Sequence, residues 1–173
     1  MKIFRLLFFS ALFLFLVVTG ISLFIPSQIR ISKAINIDAT ADIVFNQIED
    51  PAKWKDWFPG LESSTLLYEN GKVRGVLIDD SSHHYIRIKE KRKDELITDL
   101  RAGSKVIRSG WKLIPFEGAS QLTTVQWYMD FNLRWYPWEK FASLLFEKSY
   151  GVRMDSGLIN LKKLVETNRT SIN

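Results

Sequence analysis

Residues 122–135 read LTTVQWYMDFNLRW, a long stretch in which apolar and polar side chains alternate. Successive side chains of a β-strand point to opposite faces, so this period of two predicts a strand. One face carries Val125, Trp127, Met129, Phe131 and Leu133. The alternation is strict, and it therefore indicates that this face meets a core or a cavity.

The segments upstream of this strand also predict a sheet. Residues 28–38 place four isoleucines on one face, and Asn70-Gly71 favours a hairpin turn because both residues tolerate a positive φ. Two short helices are expected between the first strand and that hairpin, the first capped by Asp38 or Thr40. The second would cover residues 51–57, with a proline in its first turn. The remaining predicted strands are 63–68, 72–79, 83–90, 95–101 and 105–114.

A long helix over residues 138–167 closes the chain after Pro137, as the spacing of Leu158, Leu161, Leu164 and Val165 indicates. Gly151 and Gly157 interrupt it, and we expect a bend or a close approach to the sheet there. One helix covers an antiparallel sheet only if the sheet curves around it. The predicted fold is therefore α+β, with residues 27–167 forming one domain and residues 168–173 a frayed tail.

Residues 1–26 form an export or anchor segment. Residues 6–25 are uncharged and almost wholly apolar, and as a helix they would be about 30 Å long, the thickness of a bilayer's hydrocarbon core. The favoured interpretation is an uncleaved transmembrane anchor that ends at Pro26, and a cleaved signal peptide and a buried core helix are the alternatives. Lys2 and Arg5 favour a cytoplasmic N-terminus, hence a domain on the extracytoplasmic side, although Arg30 and Lys33 oppose this orientation.

The composition excludes several classes of protein. The 173 residues contain no cysteine, which excludes disulfide scaffolds, thiolate metal sites and a cysteine nucleophile. The two histidines are adjacent, and strand neighbours point to opposite faces, so we expect no metal site and no cofactor. Outside the first 26 residues the net charge is only +3, so no nucleic-acid partner is expected.

The aromatic inward face supplies the candidate binding site. Large flat rings and a flexible thioether suit an adaptable apolar pocket, and they suit a packed core equally well. The residues expected to line a ligand cavity are Trp57, His84, Ile86, Trp111, Trp127, Met129, Phe131, Phe141 and Leu145.

Two further features carry candidate chemistry. His84 should face inward opposite Asp79, and a carboxylate beside an imidazole is a possible general acid–base pair. The alternatives are a polar ligand contact and an ordinary hairpin end. The stretch Trp135-Tyr136-Pro137-Trp138 could form a pocket mouth, touch a membrane interface or pack as a loop.

Three segments resemble one superfamily. They are 29–39 with 42–45, the tryptophan-bearing 50–59, and the closing 157–166. In these the chain resembles the START-like, helix-grip domains of the SRPBCC superfamily, which includes birch pollen allergen relatives and polyketide cyclase/dehydrase-like domains. The likeness is to membrane-anchored bacterial members. It implies a large cavity between sheet and helix for apolar or amphipathic molecules, and no shared catalytic motif.

Three functions follow as hypotheses. The first is a membrane-anchored module that binds an apolar small molecule or lipid without catalysis. The second is a cyclase or dehydratase that uses His84 and Asp79 in the same cavity. The third is a protein-interaction module with a filled core.

Overall fold

The computed structural model describes residues 2–79, 83–116, 118 and 121–170. Its elements follow the predicted order of an N-terminal helix, a strand, two short helices, six strands and a C-terminal helical segment. They are α1 (Lys2–Ser22), β1 (Gln28–Ile37), α2 (Ala41–Glu49), a 3-10 helix (Pro51–Asp56), β2 (Thr65–Glu69), β3 (Lys72–Leu77), β4 (His84–Lys91), β5 (Glu95–Ala102), β6 (Lys105–Pro115), β7 (Thr123–Asn132), α3 (Pro137–Ser143), a π-helical turn (Glu147–Gly151) and α4 (Val152–Thr170).

The seven strands form one antiparallel sheet in the order β1-β7-β6-β5-β4-β3-β2. The first strand pairs with the last in unbroken register, from Gln28 opposite Asn132 to Ile37 opposite Thr123. The sheet curves around the C-terminal helix, which confirms the predicted START-like α+β fold.

The core lies between the inner face of the sheet and the helices α2 and α4. The inner-face residues of β7 predicted from the alternation, Val125, Trp127, Met129 and Phe131, are all buried. Met154, Leu158, Leu161 and Val165 face them from α4 and are also buried. The helical spacing of these apolar residues therefore matches the face that α4 buries.

The outer face carries a row of alternating charges across neighbouring strands. Arg30 lies opposite Asp130, Asp130 opposite Arg108, and Arg108 opposite Asp99. The Arg30 guanidinium donates two hydrogen bonds to the Asp130 carboxylate at 2.6 and 2.8 Å, and this contact raises the pKa of Arg30. Opposite charges facing one another across strands stabilise the pairing. A shallow groove of about 640 Å³ follows this row, and we assign it a structural role because its charges largely neutralise one another.

The C-terminal segment differs from the single helix expected over residues 138–167. It is divided into α3, the π-helical turn and α4, and β7 ends at Asn132 rather than at residue 135. The π-helical turn ends at Gly151, where an added Cβ would lie 3.1 Å from Lys33 Cε. At Gly157 an added Cβ would lie 2.8 Å from the Trp127 ring. The close approach to the sheet that was one of the two expectations for these glycines is thus present at both.

The N-terminal helix α1 ends at Ser22, four residues before Pro26, which was the expected end. Residues 23–25 continue as a turn, in which the amide of Leu23 donates to the Thr19 carbonyl. Most side chains of α1 are exposed and lie outside the domain core. The helix is long and apolar enough to cross a membrane, and a signal sequence would have the same length and composition.

Candidate functional site

A cluster of four tryptophans fills the centre of the inner face. Trp111 lies opposite Trp127 in register, with ring centroids 5.3 Å apart, and Trp54 and Trp57 each approach Trp111 at 6.0 Å. Phe58 completes the cluster at 4.9 Å from Trp127. These separations are typical of packed aromatic pairs, so the middle of the expected cavity is occupied by side chains.

What remains between sheet and helix is an internal cavity of about 70 Å³. Its walls include Ile86, Trp127 and Met129 from the sheet and Tyr150 and Met154 from the C-terminal segment. This volume accommodates a few water molecules, whereas ligand pockets occupy roughly 300–1,000 Å³. The internal cavity alone is therefore too small for a lipid or a polycyclic ligand.

A larger cavity, of about 300 Å³, opens where β6 begins and β7 ends. We call it the end cavity. Its apolar wall and its polar rim are supplied by the β5–β6 turn, the end of β7, α3 and the π-helical turn. Its lining residues are Ser104, Lys105, Val106, Ile107, Phe131, Asn132, Leu133, Arg134, Glu139, Phe146 and Tyr150.

Aromatic contacts shape the apolar wall of the end cavity. Phe131, Phe146 and Tyr150 form a triangle, with ring centroids 4.7, 4.8 and 5.6 Å apart. Tyr150 also lines the internal cavity, so the two cavities share this side chain as a wall. A rotation of the Tyr150 ring would therefore change the separation between them.

The rim of the end cavity is charged. The Glu139 carboxylate accepts a hydrogen bond from the Arg134 backbone amide at 3.0 Å and pairs with Lys105 at 3.2 Å. The hydrogen bond from Arg134, together with Lys105, holds the pKa of Glu139 below its ordinary value. Within the described residues the Arg134 guanidinium has no ion-pair partner, so the rim retains a positive charge.

The side chains of His84 and Asp79 meet as predicted, with 2.6 Å between Nδ1 and Oδ2, but Ile78 and not Asp79 lies opposite His84 in the strand register. The side chains are 43% and 45% exposed, and neither lines the internal cavity or the end cavity. The residues of the turn between them, 80–82, lie outside the described part of the chain. The imidazole and carboxylate therefore meet at a largely open hairpin end, away from the internal cavity and the end cavity.

The other expected lining residues separate into three groups. Ile86, Trp127 and Met129 line the internal cavity, and Phe131 lines the end cavity. Trp57 and Trp111 belong to the packed cluster, and among the described residues their Nε1 atoms have no hydrogen-bond partner. Phe141 and Leu145 were expected to face the cavity but are exposed, Phe141 on the outward side of α3 and Leu145 in the turn that follows it.

Of the residues that line the end cavity, the sequence predicted only Phe131, and those it missed include Leu133, Arg134, Phe146 and Tyr150. Phe146 and Tyr150 are four residues apart, a spacing that places two aromatic rings on one helical face. That signal was present, but their contacts with Phe131 of β7 depend on the π-helical turn, which the spacing does not predict. Among the residues that the structure describes, no group of three histidines or acidic residues could hold a metal ion.

The chain resembles known proteins in its sequence pattern and in its fold. The model of the family described as polyketide cyclase/dehydrase and lipid transport matches residues 28–166. No curated protein matched the chain.

Three solved structures share its fold. A START superfamily protein from Mycobacterium smegmatis is 16% identical, with a TM-score of 0.59 over 80% of this chain and 97% of its own. A protein from Thermobifida fusca, solved by NMR in solution, is 16% identical, with a TM-score of 0.61 over 79% of this chain and 92% of its own. The Zhui aromatase/cyclase from Streptomyces sp. R1128 is 15% identical, with a TM-score of 0.59 over 80% of this chain and 94% of its own.

Proposed function

The chain belongs to the polyketide cyclase/dehydrase and lipid transport family, and from this premise we propose that it binds an amphipathic small molecule or lipid without transforming it. The end cavity is the binding site. The observation that carries the proposal is the combination, in about 300 Å³, of an aromatic wall with a charged rim. Ligand pockets combine a largely apolar lining with a few placed polar groups in the same way.

The chemistry of the lining indicates how the ligand is oriented. An apolar chain or ring would contact Phe131 and Phe146, and an anionic or polar head would face Arg134 at the rim. Glu139 is held by Lys105 and by the Arg134 amide, so its negative charge is compensated. A carboxylate or phosphate headgroup therefore fits this rim better than a cationic one does.

The proposal also includes the membrane. The helix α1 has the length and composition of a single membrane span. Lys2 and Arg5 at its start favour a cytoplasmic N-terminus, which would place the domain on the extracytoplasmic side. A domain that binds amphipathic molecules would then be held beside the bilayer from which such molecules come.

A protein-interaction module is the second candidate. It is favoured by the packed tryptophan cluster and by the apolar side chains that α3 exposes. The enzymatic alternative, in which His84 and Asp79 act as the acid–base pair, has less support because the two side chains lie outside both cavities.

Binding of a dansyl-labelled fatty acid to the full chain in mild detergent tests the proposal. Leu133→Trp adds bulk to the end cavity, and Ile114→Trp adds the same group to the exposed outer face as a matched control. We expect the affinity of Leu133→Trp to be at least about tenfold weaker, a change of about 1.4 kcal/mol. The control should bind as the wild type does.

Two outcomes would contradict the proposal. One is equal binding by both variants, which would place the probe outside the end cavity. The other is absence of binding to the wild type, combined with an unmodified mass when the chain is taken gently from its native membrane for native mass spectrometry. That second result would favour the interaction module.

A further inference from the structure

The helix α3 presents its apolar side outward. Trp138, Phe141 and Ala142 follow the spacing i, i+3 and i+4, which places them along one face of the helix, and Leu145 is exposed in the turn that follows α3. Trp138 is 62% exposed and Leu145 is 65% exposed. We call these four residues the α3 face. A helix on the surface of a soluble domain normally buries such a face.

The opposite side of α3 is polar and buried. Lys140 and Ser143 are each 4% exposed, and the Ser143 hydroxyl donates to the Lys140 carbonyl at 2.6 Å. The Lys140 ammonium donates to the carbonyl of Ile25, just beyond the end of α1, at 2.7 Å. The polarity of α3 is therefore the reverse of that of an ordinary surface helix, with its apolar side exposed and Lys140 buried. Lys140 is buried because it joins α3 to the segment that follows α1.

This connection fixes where α3 lies relative to α1. The 21 residues of α1 extend about 31 Å, which equals the hydrocarbon thickness of a bilayer, so a span uses the whole helix. Its last residue, Ser22, then lies at the boundary between hydrocarbon and headgroups. Because α3 packs against the end of α1, it lies at the same depth.

We propose that the α3 face is inserted into the interface of the bilayer that α1 spans, so that the domain is docked on the membrane and is not merely tethered to it. This inference rests on the anchoring role proposed for α1. The composition agrees with it: Tyr136 stacks on Trp138 at 4.8 Å, Trp135 adjoins Tyr136 at 5.0 Å, and Phe24, which follows α1, is 90% exposed. Tryptophan and tyrosine concentrate at membrane interfaces.

The bilayer is a better occupant of this face than a protein partner is. Leaving contiguous apolar surface in water is unfavourable in free energy. The bilayer that α1 spans would cover the α3 face and remove this penalty without a protein partner. The hydrogen bond from Lys140 to the Ile25 carbonyl joins α3 to the segment that leaves the membrane, in which Leu23 and Phe24 are exposed. Any occupant of the face must therefore share this position with lipid.

Single-cysteine labelling of the full chain tests the proposal directly, because the chain has no cysteine of its own. Leu145→Cys, on the α3 face, would carry an environment-sensitive NBD dye in nanodiscs that contain spin-labelled lipid as a quencher. Ile43→Cys is the matched control, since Ile43 is 47% exposed on α2, which follows the far end of β1. Leu14→Cys reports on α1.

We expect strong quenching at Leu14 and Leu145 and none at Ile43. Quenching at Leu14 without quenching at Leu145 would overturn the docking and leave the anchor intact, so that a protein or a second copy of the chain must cover the face. No quenching at Leu14 would overturn the anchor together with the docking. Equal quenching at Leu145 and Ile43 would also overturn it, because the domain would then contact lipid without a preferred face.

Discussion

Substitution of Trp127 by alanine decides whether the space between the sheet and α4 is a packed core or a ligand pocket. The side chain is 1% exposed and lies beneath Gly157 of α4. It contacts Phe58 at 4.9 Å and Trp111 at 5.3 Å, and its Nε1 donates to the Ser109 hydroxyl at 2.8 Å. The substitution removes all of these contacts together.

The expected cost follows from this packing. Truncation of a buried tryptophan to alanine in a packed core lowers the free energy of unfolding by about 3–5 kcal/mol. The lost hydrogen bond contributes about 1 kcal/mol of that and places the value in the upper half of the range. For a domain of this size, at about 3 °C for each kcal/mol, the thermal midpoint should fall by roughly 12–15 °C.

The assay is thermal unfolding of the full chain in mild detergent, followed by near-ultraviolet circular dichroism. Trp138→Ala is the matched control, because Trp138 is exposed and its truncation should change the free energy of unfolding by no more than about 0.5 kcal/mol. Equal midpoints for the two alanine variants would refute the reasoning. The tryptophan cluster would then be the wall of an open pocket.

Three further predictions follow from the outer face and from α3. Gly110→Ala places a Cβ 2.5 Å from the Tyr128 ring. In denaturant unfolding it should lower the free energy of unfolding by about 1–3 kcal/mol. The same substitution should have a much smaller effect in a Tyr128→Ala background, where the ring is absent. Burial and the hydrogen bond to Glu95 raise the pKa of Tyr128 to about 12. The unfolded chain then loses this proton near pH 10 and the native chain only near pH 12, so stability should decline between these values. The stability difference between the wild type and Tyr128→Phe should be constant below pH 10, and a flat difference up to pH 12 would contradict the raised pKa. Lys140→Met removes the hydrogen bond to the Ile25 carbonyl and should increase hydrogen exchange in α3, and unchanged exchange would show that this contact does not hold α3.

The strand pattern was sufficient to predict the sheet and the residues of its inner face. The alternation through Trp127 and Met129 set the inward face of β7, and Asn70-Gly71 marked the first hairpin with its positive φ angles. These signals are local, since a period of two and a turn dipeptide depend only on neighbouring residues. The resemblance to the family at both ends of the domain supplied the arrangement of the elements.

The end cavity could not be predicted in the same way. It depends on where the C-terminal segment is interrupted by the π-helical turn. There Lys33 of β1 pairs with Glu147 at 2.6 Å and with Asp155 at 3.6 Å. Those ion pairs join residues more than 100 positions apart. The exposure of Phe141 and Leu145 was not predicted either, because it follows from the burial of Lys140, whose partner is the distant Ile25 carbonyl.

The pairing of β1 with β7 has a consequence for how the chain is made. Gln28 pairs with Asn132, and Ile37 pairs with Thr123. The first strand to be synthesised therefore stays unpaired on this side until the last strand has been synthesised. Pairing over such a separation is intrinsically slow. If α1 has already entered the membrane, β1 is held at the bilayer surface as an unpaired strand. It pairs only when β7, the last strand, has been synthesised. The sheet would therefore be completed at the membrane surface. The nascent chain most prone to aggregation would be one that ends before residue 123, because its β1 strand is still unpaired.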